Sequence, residues 1–142
     1  MNIVITGASS GIGREVALRL SEDPDNKIYA IARSRKHLES LSRAASNANI
    51  IAMPMDITSD RSSLRELKKG LSETSESIGI LINNAGHLVN KPFPEHSEED
   101  ISASVAVNFT SAALIIAELL PLMNWGAHVV NIGSMGGYQG SM

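Results

Sequence analysis

"TGASSGIG", residues 6 to 13, sits between a short β-branched apolar run and a segment of helical period. Its reading decides the fold. Gly7, Gly11 and Gly13 stand in a G-x-x-x-G-x-G spacing. A tight strand-to-helix turn needs backbone angles that cost a residue with a Cβ about 1–2 kcal/mol. Glycine also lets an anion come close to the backbone, and the free N–H groups of the helix's first turn then face it. Ser9 and Ser10 add hydroxyl donors beside those N–H groups. A glycine motif alone is weak. Placed at the end of a first strand and the start of a first helix, it indicates a pyrophosphate loop.

Outward from the loop, apolar runs alternate with helical segments. "NIVIT" (2–6), "IYAIA" (28–32), "IIAM" (50–53), "IGILIN" (78–83) and "HVVNI" (128–132) read as strands. Between them, Ile12, Val16 and Leu20 recur every four residues, as do Leu38, Leu41 and Ala45, then Leu64, Leu67 and Leu71, at helical spacing. A long helix is expected over 97–122, with Ser97 as N-cap and Asp100 three residues on, in the manner of a capping box. Near-continuous apolar strands suit a parallel sheet covered on both faces. The order βαβαβαβαβ predicts an α/β fold, a doubly wound Rossmann sheet of five strands, in one domain over 1–142.

Composition narrows the function. The 142 residues carry a net charge of −3 and no cysteine. They show no basic footprint for nucleic acid and no thiolate metal site. The four histidines, His37, His87, His96 and His128, lie on different elements without metal-ligand spacing, so no metal is expected. No run of about 18 consecutive apolar residues is present to span a bilayer, and the N-terminus is unlike a signal peptide. A soluble cytoplasmic domain is the expectation, with neither membrane nor nucleic acid as partner.

At the end of the second strand, where an acidic residue would bind the ribose hydroxyls of NAD, the sequence reads Ala32-Arg33-Ser34-Arg35. An arginine can hold a 2′-phosphate with a forked, charge-assisted contact. NADP is therefore expected over NAD. The competing reading, a solvated helix start, stays open on the residues alone.

"TGASSGIG" at 6–13, "NNAG" at 83–86, "VN" at 107–108 and "NIGS" at 131–134 together resemble the short-chain dehydrogenase/reductases along the whole chain. The resemblance implies a nicotinamide cofactor and reversible carbonyl/alcohol hydride transfer on a small molecule. It assigns Gly7, Ser9, Ser10, Gly11, Ile12 and Gly13 to the pyrophosphate, and Arg33 and Ser34 to the 2′-phosphate. Asp56 and Ile57 go to the adenine, and Asn83, Ala85 and Gly86 to the ribose. Asn108 would help organise a proton-relay water, and Ser134 would hydrogen-bond the substrate carbonyl oxygen. On the residues alone, Asp56 could equally close a strand before a turn, and Asn108 and Ser134 could be structural. The helix over 97–122 resembles one that these enzymes use to pair subunits, which implies a homo-oligomer.

The family's proton donor is a tyrosine with a lysine four residues on, about a dozen residues after the serine. Tyr138 is only four after Ser134, and Met142 stands where the lysine would be. No Tyr-x-x-x-Lys occurs in the 142 residues. The expectation is an N-terminal, cofactor-binding part of a longer enzyme, inactive as it stands. A catalytically dead nucleotide-binding or assembly module is the alternative. A P-loop is not a candidate, because the loop lacks Gly-Lys-Ser/Thr.

Overall fold

A computed structural model of the chain describes residues 1–59, 61–134 and 136. Tyr138, the residue that fails the spacing test, lies outside the described residues. The elements follow the order β1 (Asn2–Thr6), α1 (Gly11–Ser21), β2 (Lys27–Ala32), α2 (Arg35–Ala44), β3 (Ile50–Pro54), α3 (Ser62–Thr74) and β4 (Ile78–Asn83). After β4 come α4 (Glu98–Val105), a π-helical stretch (Ala106–Ser111), α5 (Ala112–Leu119), a short 3-10 turn (Leu120–Leu122) and β5 (Met123–Asn131). The sheet is parallel throughout, in the order β3-β2-β1-β4-β5. This is the doubly wound Rossmann arrangement.

Two apolar layers flank the sheet, because side chains along a strand alternate between its faces. Ile3 and Ile5 of β1 face one way and pack with Ala17 of α1 and Leu38 and Leu41 of α2. Val4 faces the other way and joins Leu64, Leu67 and Leu71 of α3 with Ile115 and Leu119 of α5. Each fully buried Ile or Leu contributes about 1.5–3 kcal/mol.

Three sequence expectations are corrected. In α1 the buried stripe is Gly13, Ala17 and Ser21, not Ile12, Val16 and Leu20. Small residues let the helix sit close to the sheet, and Ile12 is left 62% exposed at the cleft. The helix over 97–122 is not uniformly α. Its middle widens to a π turn that carries Asn108, and Ser111 Oγ donates to the carbonyl of Ala106 at 2.7 Å. Strand β5 begins at Met123 rather than 128, but its regular pairing with β4 runs from His128 to Asn131. A register shift between Ile78 and Ile80 absorbs the residues before that, with Gly126 at φ 85°.

The helix Glu98–Leu122 also qualifies the reading of membrane spans. Its 25 residues are long and apolar enough to cross a bilayer by length and composition, although Ser, Asn, Thr and Glu interrupt every apolar run. It lies against the sheet through Ile115 and Leu119. Ile101, Val105 and Phe109 are exposed on it at 45%, 50% and 71%, so burial on more than one side, expected from its composition, does not occur within this chain.

Candidate cofactor site

Strands β1 and β4 are neighbours, while the chain after β1 crosses towards β2 and the chain after β4 crosses towards β5. Their carboxyl ends therefore flank the point where strand order reverses, where open α/β sheets bind ligands. Thr6 and Asn84 hold the two ends together. The Thr6 hydroxyl oxygen accepts the backbone N–H of Asn84 and of Ala85, each at 3.1 Å. Asn84 Nδ2 donates to the carbonyls of Thr6 and Gly7, each at 3.2 Å. A cleft of about 580 Å³ opens there. Neither Thr6 nor Asn84 was singled out from the sequence; their signal was adjacency to Gly7 and Gly86 inside the two motifs.

The glycine loop forms the cleft's first wall. Gly7 and Gly11 have φ of 67° and 54°, the left-handed region that favours glycine. A Cβ on Gly7 would stand 2.7 Å from Ala85 Cα, so the glycine permits β1 and β4 to converge. A Cβ on Gly13 would meet the Gly7 carbonyl oxygen at 2.5 Å, so this glycine permits α1 to abut the loop. Around Gly11 there is open space within 4 Å. Ser10, the N-cap of α1, makes no capping hydrogen bond, and the first turn holds no acid. The helix start is thus left with uncommitted donors, which fits the pyrophosphate of a dinucleotide.

The second wall comes from β2 and β3. Arg33 and Ser34 line the cleft just beyond β2, and Asp56, Ile57 and Thr58 line it beyond β3. Ser34 is the N-cap of α2, its Oγ accepting the His37 N–H at 3.3 Å. Asp56 Oδ1 accepts the Thr58 hydroxyl at 2.7 Å and the Thr58 N–H at 2.9 Å. These bonds, the hydroxyl first, together with the Arg33 charge, hold the Asp56 carboxyl below the usual carboxylate range. Asp56 thus closes a turn and faces the cleft at once.

Of the residues expected at the cofactor, Gly7, Ser9, Ser10, Ile12, Arg33, Ser34, Asp56, Ile57, Ala85 and Gly86 line the cleft. Gly11 and Gly13 shape the loop behind it. Asn83 turns elsewhere: it is 6% exposed and its Nδ2 donates to Asn131 Oδ1 across β4 and β5 at 3.0 Å. Its own Oδ1 is buried without a partner. Asn108 clamps the segment after "NNAG", with Oδ1 accepting the His87 N–H and Nδ2 donating to the His87 carbonyl, both at 2.8 Å. Ser134 stands beyond β5, its Oγ accepting the Gly136 N–H at 3.1 Å, and it is not part of the cleft wall. His37, His87 and Val107 line the cleft without having been assigned a role from the sequence.

A family model described as short chain dehydrogenase matches residues 1–142. The chain belongs to that family. Among its relatives, the short-chain dehydrogenase is 30% identical to the ketoacyl reductase HetN of Nostoc sp. (strain PCC 7120) over 142 residues, 97% of this chain and 49% of HetN. It is 27% identical to an uncharacterized oxidoreductase of Staphylococcus aureus (strain MW2), over 96% of this chain and 59% of that protein. Among solved structures, it superposes on the bulky-bulky ketone specific alcohol dehydrogenase from Comamonas testosteroni with a TM-score of 0.81 and 31% identity. That match covers 98% of this chain and 57% of the other. A short-chain dehydrogenase from Streptomyces avermitilis gives a TM-score of 0.81 at 28% identity, over 96% and 50%. The chain spans about half to three fifths of the length of these relatives. It is an oxidoreductase by family, and the family implies a nicotinamide cofactor.

Proposed function

We propose that this chain is the cofactor-binding part of an NADP-dependent oxidoreductase that interconverts a carbonyl and an alcohol by hydride transfer. The observation that carries the reading is the wall beyond β2, where Arg33 and Ser34 line the cleft and no carboxylate stands at the end of that strand. A bound nicotinamide supplies the hydride acceptor or donor. The chain's own groups bind and orient. The glycine loop, Ser9, Ser10 and the start of α1 hold the pyrophosphate; Arg33 and Ser34 hold the 2′-phosphate; Asp56 and Ile57 border the adenine. Asn83, Ala85 and Gly86 lie under the ribose, with Asn83 acting through the end of β4. The Ser134 hydroxyl donates to the substrate carbonyl oxygen and steadies the charge that develops there. Asn108 positions the backbone at His87 beside the proton relay.

Titration of the chain with NADP and NAD tests the cofactor choice. NADP is expected to bind at least tenfold more tightly, a difference of about 1.4 kcal/mol, and Arg33→Ala is expected to erase it. Equal affinities in the native chain would remove the role given to Arg33. Because these residues hold no Tyr-x-x-x-Lys, little turnover of ketones with NADPH is expected from them alone. That same fact favours a second reading, a nucleotide-binding module without catalysis, if the intact native protein has the mass of these 142 residues. A cytoplasmic homo-oligomer, paired through the exposed side of the helix Glu98–Leu122, completes the proposal.

A further inference from the structure

We propose that His37 is a third side chain recognising the 2′-phosphate, and that its charge makes the preference for NADP over NAD depend on pH. This role rests on the NADP reading above and deepens it. His37 lines the same cleft as Arg33 and Ser34, and its backbone is tied to Ser34 by the capping bond. The three residues therefore move as one unit at the ribose end of the cleft. Among the described residues, the side chains of Arg33, Arg35, Lys36 and His37 form no ion pair, whereas Arg14, Arg19, Lys27, Arg61, Lys69 and Lys91 all do. Positive charge is thus gathered at one end of the cleft without a protein counter-charge in contact.

The groups facing His37 are Arg33, on the turn after β2, and Asp56, with Thr58, across the cleft beyond β3; Arg35 and Lys36 adjoin it on α2. Histidine is the side chain whose charge changes between about pH 5 and 8. Arg33 supplies a contact that is constant over this range. His37 adds a second positive contact at lower pH, present for a ligand with a 2′-phosphate and irrelevant to one without.

The test uses 2′,5′-ADP and 5′-AMP, which need no catalysis, bound to the chain at pH 6 and pH 8.5. His37→Ala is expected to weaken 2′,5′-ADP roughly five- to tenfold at pH 6 and less than about twofold at pH 8.5, with 5′-AMP unchanged. His37→Lys is expected to hold the affinity at both pH values, which also shows that the fold survives substitution there. Comparison with His37→Ala cancels the phosphate's own titration near pH 6. An equal loss at both pH values, or an equal loss for 5′-AMP, would overturn the role of His37. If the native chain binds 2′,5′-ADP no better than 5′-AMP, the NADP reading itself fails and takes this role with it. If Arg33→Ala abolishes the preference while His37→Ala leaves it intact at pH 6, only the role of His37 falls.

Discussion

Single residues set the geometry of the cleft by what they lack or what they hold. At Gly13 a Cβ would meet a backbone oxygen 2.5 Å away, and backbone cannot swing aside as a side chain can. Gly13→Ala is expected to cost about 1–3 kcal/mol by overpacking, read from urea unfolding; a variant as stable as the native chain would refute the close approach. Asn108 works through a polar contact instead. Its amide meets both the N–H and the carbonyl of His87, so no other side chain of that size replaces both bonds. Asn108→Leu is expected to lose about 1 kcal/mol and to speed hydrogen exchange at the His87 amide. Unchanged exchange there would exclude the clamp. In the sequence, Asn108 showed only as a polar residue in an apolar stretch; its partner, 21 positions away, is set by the fold.

At the scale of elements, the start of α4 is the most fully specified. Ser97 Oγ accepts the Asp100 N–H at 3.2 Å, Asp100 Oδ2 accepts the Ser97 N–H at 2.9 Å, and Lys91 pairs with Asp100. The Lys91 contact first, then the Ser97 N–H, push the Asp100 carboxyl down to about 2. A depressed carboxylate contributes stability that is present above its unfolded value, about 3.9, and lost as pH falls through the folded value. Protection of the first-turn amides of α4 is therefore expected to persist to about pH 4 and to fade towards pH 2. Asp100→Asn is expected to abolish that pH dependence; a fading that persists in the variant would assign it elsewhere. Ser97→Ala is expected to cost about 1 kcal/mol, as a shift in the urea midpoint. The box was legible in the sequence because its bonds are local. The burial stripe of α1 was not, because periodicity marks large apolar residues, whereas close contact with a sheet selects the small ones, Gly13 and Ala17.

For the whole molecule, the helix Glu98–Leu122 presents Ile101, Val105 and Phe109 along one exposed line. Self-association through that line buries them together. Phe109→Glu is expected to lower the mass of the native chain in light scattering to that of one chain, with the fold retained. A mass that is already that of one chain in the native protein would rule out the pairing.

Strand number, the parallel α/β class and the glycine loop followed from the sequence by itself, since apolar runs, helical spacing and glycine chemistry are local properties of the chain. The same is true of "NNAG" and of the missing Tyr-x-x-x-Lys. Only the tertiary structure decided which of those residues meet. It brought Thr6 and Asn84 into one stitch across 78 positions and set Arg33, Ser34, His37 and Asp56 around one end of a single cleft. It also turned Asn83 towards Asn131 and away from the cleft wall. Such contacts depend on strand order and register, which bring distant residues together at distances that no local pattern encodes.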